Sequence, residues 1–211
     1  MKVLKPQFWD RKFSPLSFLL LPVSLFFQLL ILLKEKLTRV HKFRIPIICV
    51  GNIYIGGTGK TPLSILIAKE LIKHKKKPAL IKKYYSNHLD EHKLIRKNLD
   101  CLFLNKKRSV AINDALKSNY DLAVLDDGFQ DRSIDKKLNI LCFNSSQLIG
   151  NGMTIPSGPL RENIKTIKKA QIILINGKKN EMFEKKMLNI SSKIEIFYSR
   201  YLPINIENLK D

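Results

Sequence analysis

A glycine-rich segment ending in Gly-Lys-Thr constrains this chain most. A run of strand-forming residues at 45–50 precedes it. A segment at 63–71, whose apolar residues recur with the spacing of a helix, follows it and predicts a helix. Strand, glycine-rich loop and helix in this order are typical of a P-loop, where backbone N–H groups and a helix N-terminus surround a phosphate. The sequence therefore predicts a nucleoside triphosphate site. Its cofactor-binding residues would be Gly56, Gly57, Thr58, Gly59, Lys60 and Thr61.

Two side chains of this loop have specific expected roles. Lys60 would reach the outer phosphates and assist catalysis, and the hydroxyl of Thr61 would hold Mg²⁺. The full P-loop pattern has a glycine where this chain has Tyr54, so only the compact form Gly-Gly-x-Gly-Lys-Thr is met. The alternative is a glycine-rich turn that precedes a helix by chance.

Two adjacent carboxylates, Asp126 and Asp127, end an apolar run at 121–127 that predicts a strand. Acidic residues at the end of such a strand meet the magnesium of a P-loop. Gly128 would then let the chain turn sharply away from the sheet. The alternative is that the pair merely caps a turn. Beside a P-loop, we expect both residues to hold the metal and Asp127 to take part in catalysis.

Three further residues are candidates for the same site. Arg161 and Glu162 end a loop rich in glycine and proline; Arg161 could hold a phosphate by two hydrogen bonds and Glu162 could contact the metal shell. A solvated arginine and an acid at a helix start are the alternative. Asp90 lies in a predicted polar loop at 83–91 and is a candidate general base. His88 and His92 flank it, so a metal site or a solvated loop are further interpretations.

Short apolar runs alternate with helical segments along the rest of the chain. This alternation predicts an α/β fold of the P-loop NTPase type, with a mostly parallel sheet, helices on both faces and the ligand at the C-terminal strand ends. The further predicted strands are 78–82, 101–104, 138–143 and 171–175, and the further helices are 110–117, 161–169 and 180–188.

The formal net charge of +20 has three interpretations: nucleic acid binding, an anionic membrane surface, or solubility alone. The sequence has no basic cluster interleaved with aromatic residues and no zinc-finger spacing, so we expect no nucleic acid partner. The cysteines, Cys49, Cys101 and Cys142, lie in apolar runs and are expected to be reduced core residues.

Residues 16–33 carry no charge and are almost entirely apolar, with basic residues on both sides. A signal peptide is disfavoured because no small-residue cleavage site follows. The segment could span a bilayer, lie in its interface or form a buried core helix. Pro22, Gln28 and the positive charge on both sides weaken a simple span. We favour a monotopic anchor helix on the cytosolic face of a membrane.

Eight short motifs together carry a resemblance that covers nearly the whole chain. They are Phe8-Trp9, Ser14-Pro15-Leu16, Val50-Gly-Asn-Ile, Gly56-Gly-Thr-Gly-Lys-Thr-Pro62, Asp126-Asp-Gly-Phe-Gln130, Gly150-Asn-Gly152, Pro156-x-Gly-Pro-Leu-Arg-Glu162 and Asn176-Gly177. In this order they resemble the tetraacyldisaccharide 4'-kinase family, the lipid A kinases of Gram-negative bacteria.

The resemblance implies an ATP- and Mg²⁺-dependent lipid kinase at the cytoplasmic face of the bacterial inner membrane. Such an enzyme transfers the γ-phosphate to the 4'-hydroxyl of a lipid A disaccharide 1-phosphate. The positions that match the family's phosphate, magnesium and acidic residues are Lys60, Thr61, Asp126, Asp127 and Glu162, and Asp90 matches its catalytic base, which works with a distant histidine.

The chain departs from the family pattern in three ways. Lys83-Tyr-Tyr-Ser86 replaces the family's Arg-Gly-Tyr-Gly, and the connection from Asp90 to the second acidic motif is short. The family also continues into a smaller second domain with a Phe-Pro-Asp-His motif that this sequence does not contain. We therefore expect a membrane-associated segment at 1–42, a P-loop kinase domain at 43–200 and the start of a linker at 201–211. Turnover is expected to be slow.

The main rival is a nucleotide-driven, membrane-associated ATPase or GTPase switch. Switches with the Gly-Gly-x-Gly-Lys-Thr loop usually carry a lysine at the position of Ile55, and its replacement here disfavours them. Dimerisation that depends on nucleotide would separate the two classes.

Overall fold

The computed structural model describes residues 5–86 and 89–200. The helices are α1 (Pro15–Leu19), α2 (Leu21–Leu37), α3 (Lys60–Lys73), α4 (Leu89–Asn98), α5 (Arg108–Lys117) and α6 (Glu181–Ile190), with 3-10 helices at Gln7–Asp10 and Ile164–Lys169. The strands are β1 (Ile47–Gly51), β2 (Pro78–Lys83), β3 (Leu102–Asn105), β4 (Leu122–Asp126), β5 (Leu138–Asn144), β6 (Ile172–Asn176) and β7 (Glu195–Ser199). The predicted linker at 201–211 and His88 lie outside the described residues.

The strands form one parallel sheet in the order β3-β2-β4-β1-β5-β6-β7. The chain builds β1, β2 and β3, returns to insert β4 beside β1, and then crosses to the other side for β5, β6 and β7. The C-terminal ends of β1 and β4 are therefore neighbours where the strand order reverses, which is where open α/β sheets bind ligands. The predicted P-loop-type α/β fold with a parallel sheet is confirmed.

Helices cover both faces of the sheet, as a parallel sheet requires. Successive residues of β2 point to opposite faces: Leu80 packs with Ile95 of α4, whereas Ile81 belongs to the cluster that contains Ile112 of α5 and Met187 of α6. All five side chains are fully buried. Burial of one large apolar side chain stabilises a fold by about 1.5–3 kcal/mol, so these contacts fix the sheet that carries the site.

The three cysteines are free thiols within the core, as predicted. Burial raises the pKa of Cys49 to about 11 and that of Cys142 to about 12. Both thiols are therefore protonated at neutral pH and behave as small apolar groups.

Two local predictions were wrong, and one strand was missed. The polar loop predicted at 83–91 ends early, because α4 begins at Leu89. Asp90 and Glu91 lie in its first turn, where carboxylates interact favourably with the helix dipole and stabilise the helix. The helix predicted at 161–169 is only the 3-10 helix Ile164–Lys169, which Asn163 caps by accepting a hydrogen bond from the Lys165 N–H at 2.9 Å. The strand β7 was not predicted.

The apolar N-terminal segment forms two helices instead of one. The break falls at Leu20. In a continuous helix the carbonyl of Phe18 would accept from the N–H of Pro22, and proline has no N–H to donate. The polar residues of the segment face the protein. Ser24 Oγ contacts Thr154 O at 3.0 Å and Ser157 Oγ at 2.8 Å, and Gln28 Nε2 donates to Thr154 Oγ1 at 2.7 Å.

The apolar side chains of α1 and α2 point away from the protein, so the alternative of a buried core helix is wrong. The exposed ones are Leu16, Phe18, Leu19, Val23, Leu25, Phe26, Phe27, Leu29, Leu30, Ile31, Leu32, Leu33 and Leu37. We call this set the apolar surface of α1–α2. Over residues 5–86 and 89–200, no helix combines the length and the apolar character that crossing a bilayer demands. The division of the chain at residue 42 stays a prediction.

Candidate active site

The P-loop connects the end of β1 to the start of α3, as predicted. Gly56 and Gly59 have φ values of +119° and +83°, a backbone region that favours glycine. Asn52 holds the loop from inside, because its Nδ2 donates to Tyr54 O at 2.6 Å and to Thr58 Oγ1 at 3.0 Å. The loop is therefore fixed by buried hydrogen bonds of its own side chains.

Tyr54 stands where the full P-loop pattern has a glycine, and the structure explains why a large residue fits there. Its side chain is 1% exposed, and its backbone bridges Leu160 in an antiparallel pairing. The residue thus fills the core beside the loop and stays out of the cleft that the glycines line.

Asp126 ends β4 and receives three polar side chains. Thr61 Oγ1 donates to its Oδ2 at 2.9 Å, Ser64 Oγ donates to its Oδ1 at 3.3 Å, and the Lys82 ammonium also donates to Oδ2. The carboxylate is fully buried. The structure therefore brings together Thr61 and Asp126, the hydroxyl and the carboxylate proposed from the sequence as magnesium ligands.

Lys82 is a site residue that the sequence did not single out. It is 4% exposed, pairs in register with Asp126 across β2 and β4, and also contacts Glu91 Oε2 at 2.6 Å. Burial lowers the pKa of Lys82, but the two carboxylates outweigh it and the pKa lies above its usual value. Lys82 is therefore a charged ammonium. A lysine at the end of an otherwise apolar strand was the signal available in the sequence.

Asp127 lies at the centre of the positive charges. Its carboxylate is 3.7 Å from Lys60 Nζ and within 3.1 Å of Arg161 Nη1, and its backbone carbonyl accepts from Arg108 Nη2 at 2.6 Å. Burial raises the pKa of Asp127, but Lys60 and Arg161 more than offset that effect, so the pKa lies below its usual value. Its φ of +54° is a left-handed conformation that aspartate tolerates better than most residues.

Glu162 does not join Thr61 or Asp126. Its Oε2 accepts from Arg132 Nη2 at 2.6 Å, and Arg132 also lies 3.8 Å from Glu35 of α2. Burial raises the pKa of Glu162, although Arg132 opposes the shift. The structure thus places this predicted metal residue in an ion-pair network that leads toward α2.

Two clefts meet at this site. The first, of about 440 Å³, we call the P-loop cleft; it is lined by residues 56–62 and by Lys82, Glu91, Leu94, Asp127 and Arg161. The second, of about 560 Å³, we call the α2 cleft; it is lined by Ile31, Lys34, Glu35, Thr38, Lys83, Tyr85, Arg108, Asp127, Gln130, Asp131, Arg132, Ser133, Arg161 and Glu162. Asp127 and Arg161 line both clefts.

Asp90 occupies an exposed position in the first turn of α4. Its neighbour Glu91 lines the P-loop cleft, so the turn that carries both carboxylates borders the site. His92 is buried and stacks on Tyr84 with ring centroids 5.6 Å apart. The structure thus gives His92 a packing role, in which it holds α4 against Tyr84.

The oxygen atoms of Asp126 and Thr61 suit a hard cation. Mg²⁺ prefers oxygen ligands and is usually held by one or two protein groups together with phosphates and water. The Thr61 hydroxyl and the Asp126 carboxylate supply such oxygens 2.9 Å apart, and the Lys82 ammonium shows that a cation fits against the carboxylate.

Comparison with known proteins gives a consistent result. The family model described as "Tetraacyldisaccharide-1-P 4'-kinase" matches residues 16–211. A tetraacyldisaccharide 4'-kinase of Pelagibacter ubique is 44% identical over 210 residues, which cover 98% of this chain and 66% of that protein. One of Wigglesworthia glossinidia brevipalpis is 33% identical over 192 residues, which cover 80% of this chain and 53% of that protein.

Solved structures support the same fold. A crystal structure of LpxK from Aquifex aeolicus in complex with ATP matches with a TM-score of 0.66 at 21% identity, over 90% of this chain and 86% of that chain. The hydrogenase maturation factor HypB of Archaeoglobus fulgidus matches with a TM-score of 0.50 at 13% identity, over 74% of this chain and 81% of that chain. The chain spans between about half and two thirds of the length of the two relatives above. From the match of the family model and the 44% identity, the chain belongs to the tetraacyldisaccharide-1-P 4'-kinase family.

Proposed function

We propose that this chain is an ATP-dependent lipid kinase that transfers the γ-phosphate to the 4'-hydroxyl of a tetraacyldisaccharide 1-phosphate, in lipid A biosynthesis. One observation carries the proposal beyond family membership. The P-loop cleft and the α2 cleft share Asp127 and Arg161, so a nucleotide in one and a sugar hydroxyl in the other would face each other across these two residues.

The P-loop cleft would hold ATP and Mg²⁺. Residues 56–61 would surround the phosphates, and Thr61, Asp126 and Asp127 would hold the metal, which when bound neutralises charge on the transferred phosphate. Lys60 and Arg161 would face the charge that develops during transfer, and such fixed charges are usually the largest contribution to catalysis. Glu162 would act on the metal shell only if its contact with Arg132 opens.

Asp90 would serve as the general base that accepts the proton of the sugar hydroxyl. Its position in the first turn of α4, next to Glu91 at the P-loop cleft, supports this role. A carboxylate base of this kind contributes about 10²–10⁴-fold to the rate.

The α2 cleft suits an acylated sugar phosphate that lies in a membrane. Helix α2 contributes Ile31 and Lys34 to the cleft, and its other exposed apolar side chains face outward. Acyl chains could therefore follow the apolar surface of α1–α2 while the sugar reaches Asp127. We propose that this surface rests in the cytoplasmic face of the bacterial inner membrane, with basic residues near the lipid phosphates.

Acceptor dependence tests the function. A kinase releases ADP only when it is given the disaccharide 1-phosphate, whereas a nucleotide-driven switch hydrolyses ATP without this acceptor. We expect ADP release in detergent micelles to rise at least tenfold above background when the acceptor is added. Equal ADP release with and without the acceptor, accompanied by dimerisation on ATP, would support the switch.

A further inference from the structure

The contact between Lys82 and Asp126 has a consequence for metal binding. Lys82 donates to the same oxygen, Oδ2, that accepts from Thr61. Both partners are buried, with Lys82 4% exposed and Asp126 fully inaccessible. Because the residues pair in register on adjacent parallel strands, the sheet itself holds the two backbones together.

A cation that enters this position has to share or displace the ammonium. One carboxylate can neutralise one ammonium or contribute to binding one divalent cation, and two cations at one buried oxygen repel each other strongly. Glu91 gives Lys82 another place to go, because its Oε2 already lies 2.6 Å from the ammonium and its side chain is 46% exposed. Lys82 could therefore leave Asp126 and stay paired.

We propose that Lys82 is a built-in counter-ion that competes with the divalent cation for Asp126, and that Glu91 receives the ammonium when the cation binds. Lys82 and Glu91 together would set the affinity of the site for metal. The inference rests on the proposed nucleotide and magnesium site. It does not depend on the identity of the phosphate acceptor.

Binding of Mn²⁺ to the protein without nucleotide tests the proposal directly. The Kd is obtained from the paramagnetic resonance signal of free Mn²⁺, a measurement that requires no kinase activity. We expect Lys82→Met to bind Mn²⁺ at least tenfold more tightly than the wild type. Lys82→Gln, which keeps a hydrogen-bond donor but no charge, should shift in the same direction and serves if the Met variant does not fold.

A second variant separates the role of Glu91 from that of a direct metal ligand. If Glu91 receives Lys82, Glu91→Gln weakens Mn²⁺ binding in the wild type but changes it less than twofold in the Lys82→Met background. Non-additivity of this kind measures the coupling between two residues. The matched control is Lys136→Met, a partly buried lysine whose ammonium contacts the carbonyls of Gly128 and Phe129.

Unchanged or weaker Mn²⁺ binding in both Lys82 variants would overturn the proposal. An equal loss on Glu91→Gln in both backgrounds would overturn the part assigned to Glu91. ATP binding without phosphate transfer to the lipid would instead contradict the proposed function and leave the Mn²⁺ comparison valid, so the two failures are distinguishable.

Discussion

Arg161 donates from Nη1 to both carboxylate oxygens of Asp127, at 3.2 Å to Oδ1 and 3.1 Å to Oδ2. The arginine belongs to the loop that follows β5, and the aspartate is the first residue after β4. Their contact forms the border between the P-loop cleft and the α2 cleft. The guanidinium is therefore anchored at the place where a phosphoryl group would pass from one cleft to the other.

Replacing Arg161 should impair transfer far more than folding. We expect Arg161→Ala to lower the turnover number by about 10²–10³-fold, because removal of one preorganised charge at a transition state has an effect of this size. Arg161→Lys should restore only part of the rate, since an ammonium cannot hold a phosphate by two parallel hydrogen bonds as a guanidinium can. The checks are steady-state kinetics and the melting temperature. Arg44→Ala, at an exposed position, is the control; an equal rate loss there would refute a specific role.

Asp127 should make stability depend on pH in the acidic range. Its pKa in the folded protein lies below the unfolded value of about 3.9. The carboxylate therefore contributes stability that is fully present above about pH 3.9 and is lost as the pH falls through the lower, folded-state pKa. Asp127→Asn keeps a residue that tolerates the left-handed conformation but removes the charge.

Urea denaturation of wild type and Asp127→Asn, from about pH 6 to about pH 3, checks this prediction. The stability difference between the two proteins should be constant from about pH 6 down to about pH 4 and should shrink below that. A difference that stays constant down to about pH 3 would show that Lys60 and Arg161 do not stabilise the ionised carboxylate.

Gly51 at the end of β1 lets Phe129 approach the strand closely, and any side chain at position 51 would prevent this contact. A Cβ at this position would lie 2.4 Å from Phe129 Cβ and 3.2 Å from the Phe129 backbone nitrogen. We expect Gly51→Ala to lower the free energy of unfolding by about 1–3 kcal/mol, as overpacking of a core does. Gly57→Ala is the matched control, because nothing lies within 4 Å of its Cβ position. Its effect in urea denaturation should stay within about 0.5 kcal/mol, and equal effects of the two changes would contradict the assignment.

The apolar surface of α1–α2 should bind lipid. Phe26 and Leu29 are 58% and 53% exposed, and burial of each in a bilayer interface contributes about 1.5–3 kcal/mol. Phe26→Glu with Leu29→Glu should therefore lower the affinity for vesicles of phosphatidylethanolamine and phosphatidylglycerol by at least about tenfold, as measured by co-sedimentation. Leu66→Glu on α3, at a position that is 60% exposed, should have no such effect. Vesicle binding that survives the double change would locate the membrane contact elsewhere.

The site residues that the sequence predicts are those located by elements that follow one another along the chain. A strand, a glycine-rich loop and a helix fix Lys60 and Thr61 locally, and an acid at the end of a buried strand identifies Asp126. The contact of Lys82 with Asp126 requires knowledge that β2 lies beside β4 in one particular register, which no local pattern gives. To predict the contact of Lys82 with Glu91, one must also know that α4 begins at Leu89 and packs beside β2.

Helix α4 was not predicted because it contains few apolar residues. Apart from Leu89, only Leu94 and Ile95 are apolar along its ten residues, and the rest reads as a polar loop. In the N-terminal segment the sequence predicted helix but not its orientation. Ser24 decides that orientation, since its buried hydroxyl binds Thr154 and Ser157, and neither partner is close to it in sequence.

The most direct measurement is transfer of labelled γ-phosphate from ATP to a tetraacyldisaccharide 1-phosphate in detergent micelles, with Lys60→Ala as control. Lys60 faces Asp127 at 3.7 Å and starts α3 directly after the glycine-rich loop. We expect slow formation of labelled lipid by the wild type and none above background by the variant. Labelled lipid formed equally by both proteins, or ATP bound by the wild type with no label on the lipid, would contradict the proposed kinase function.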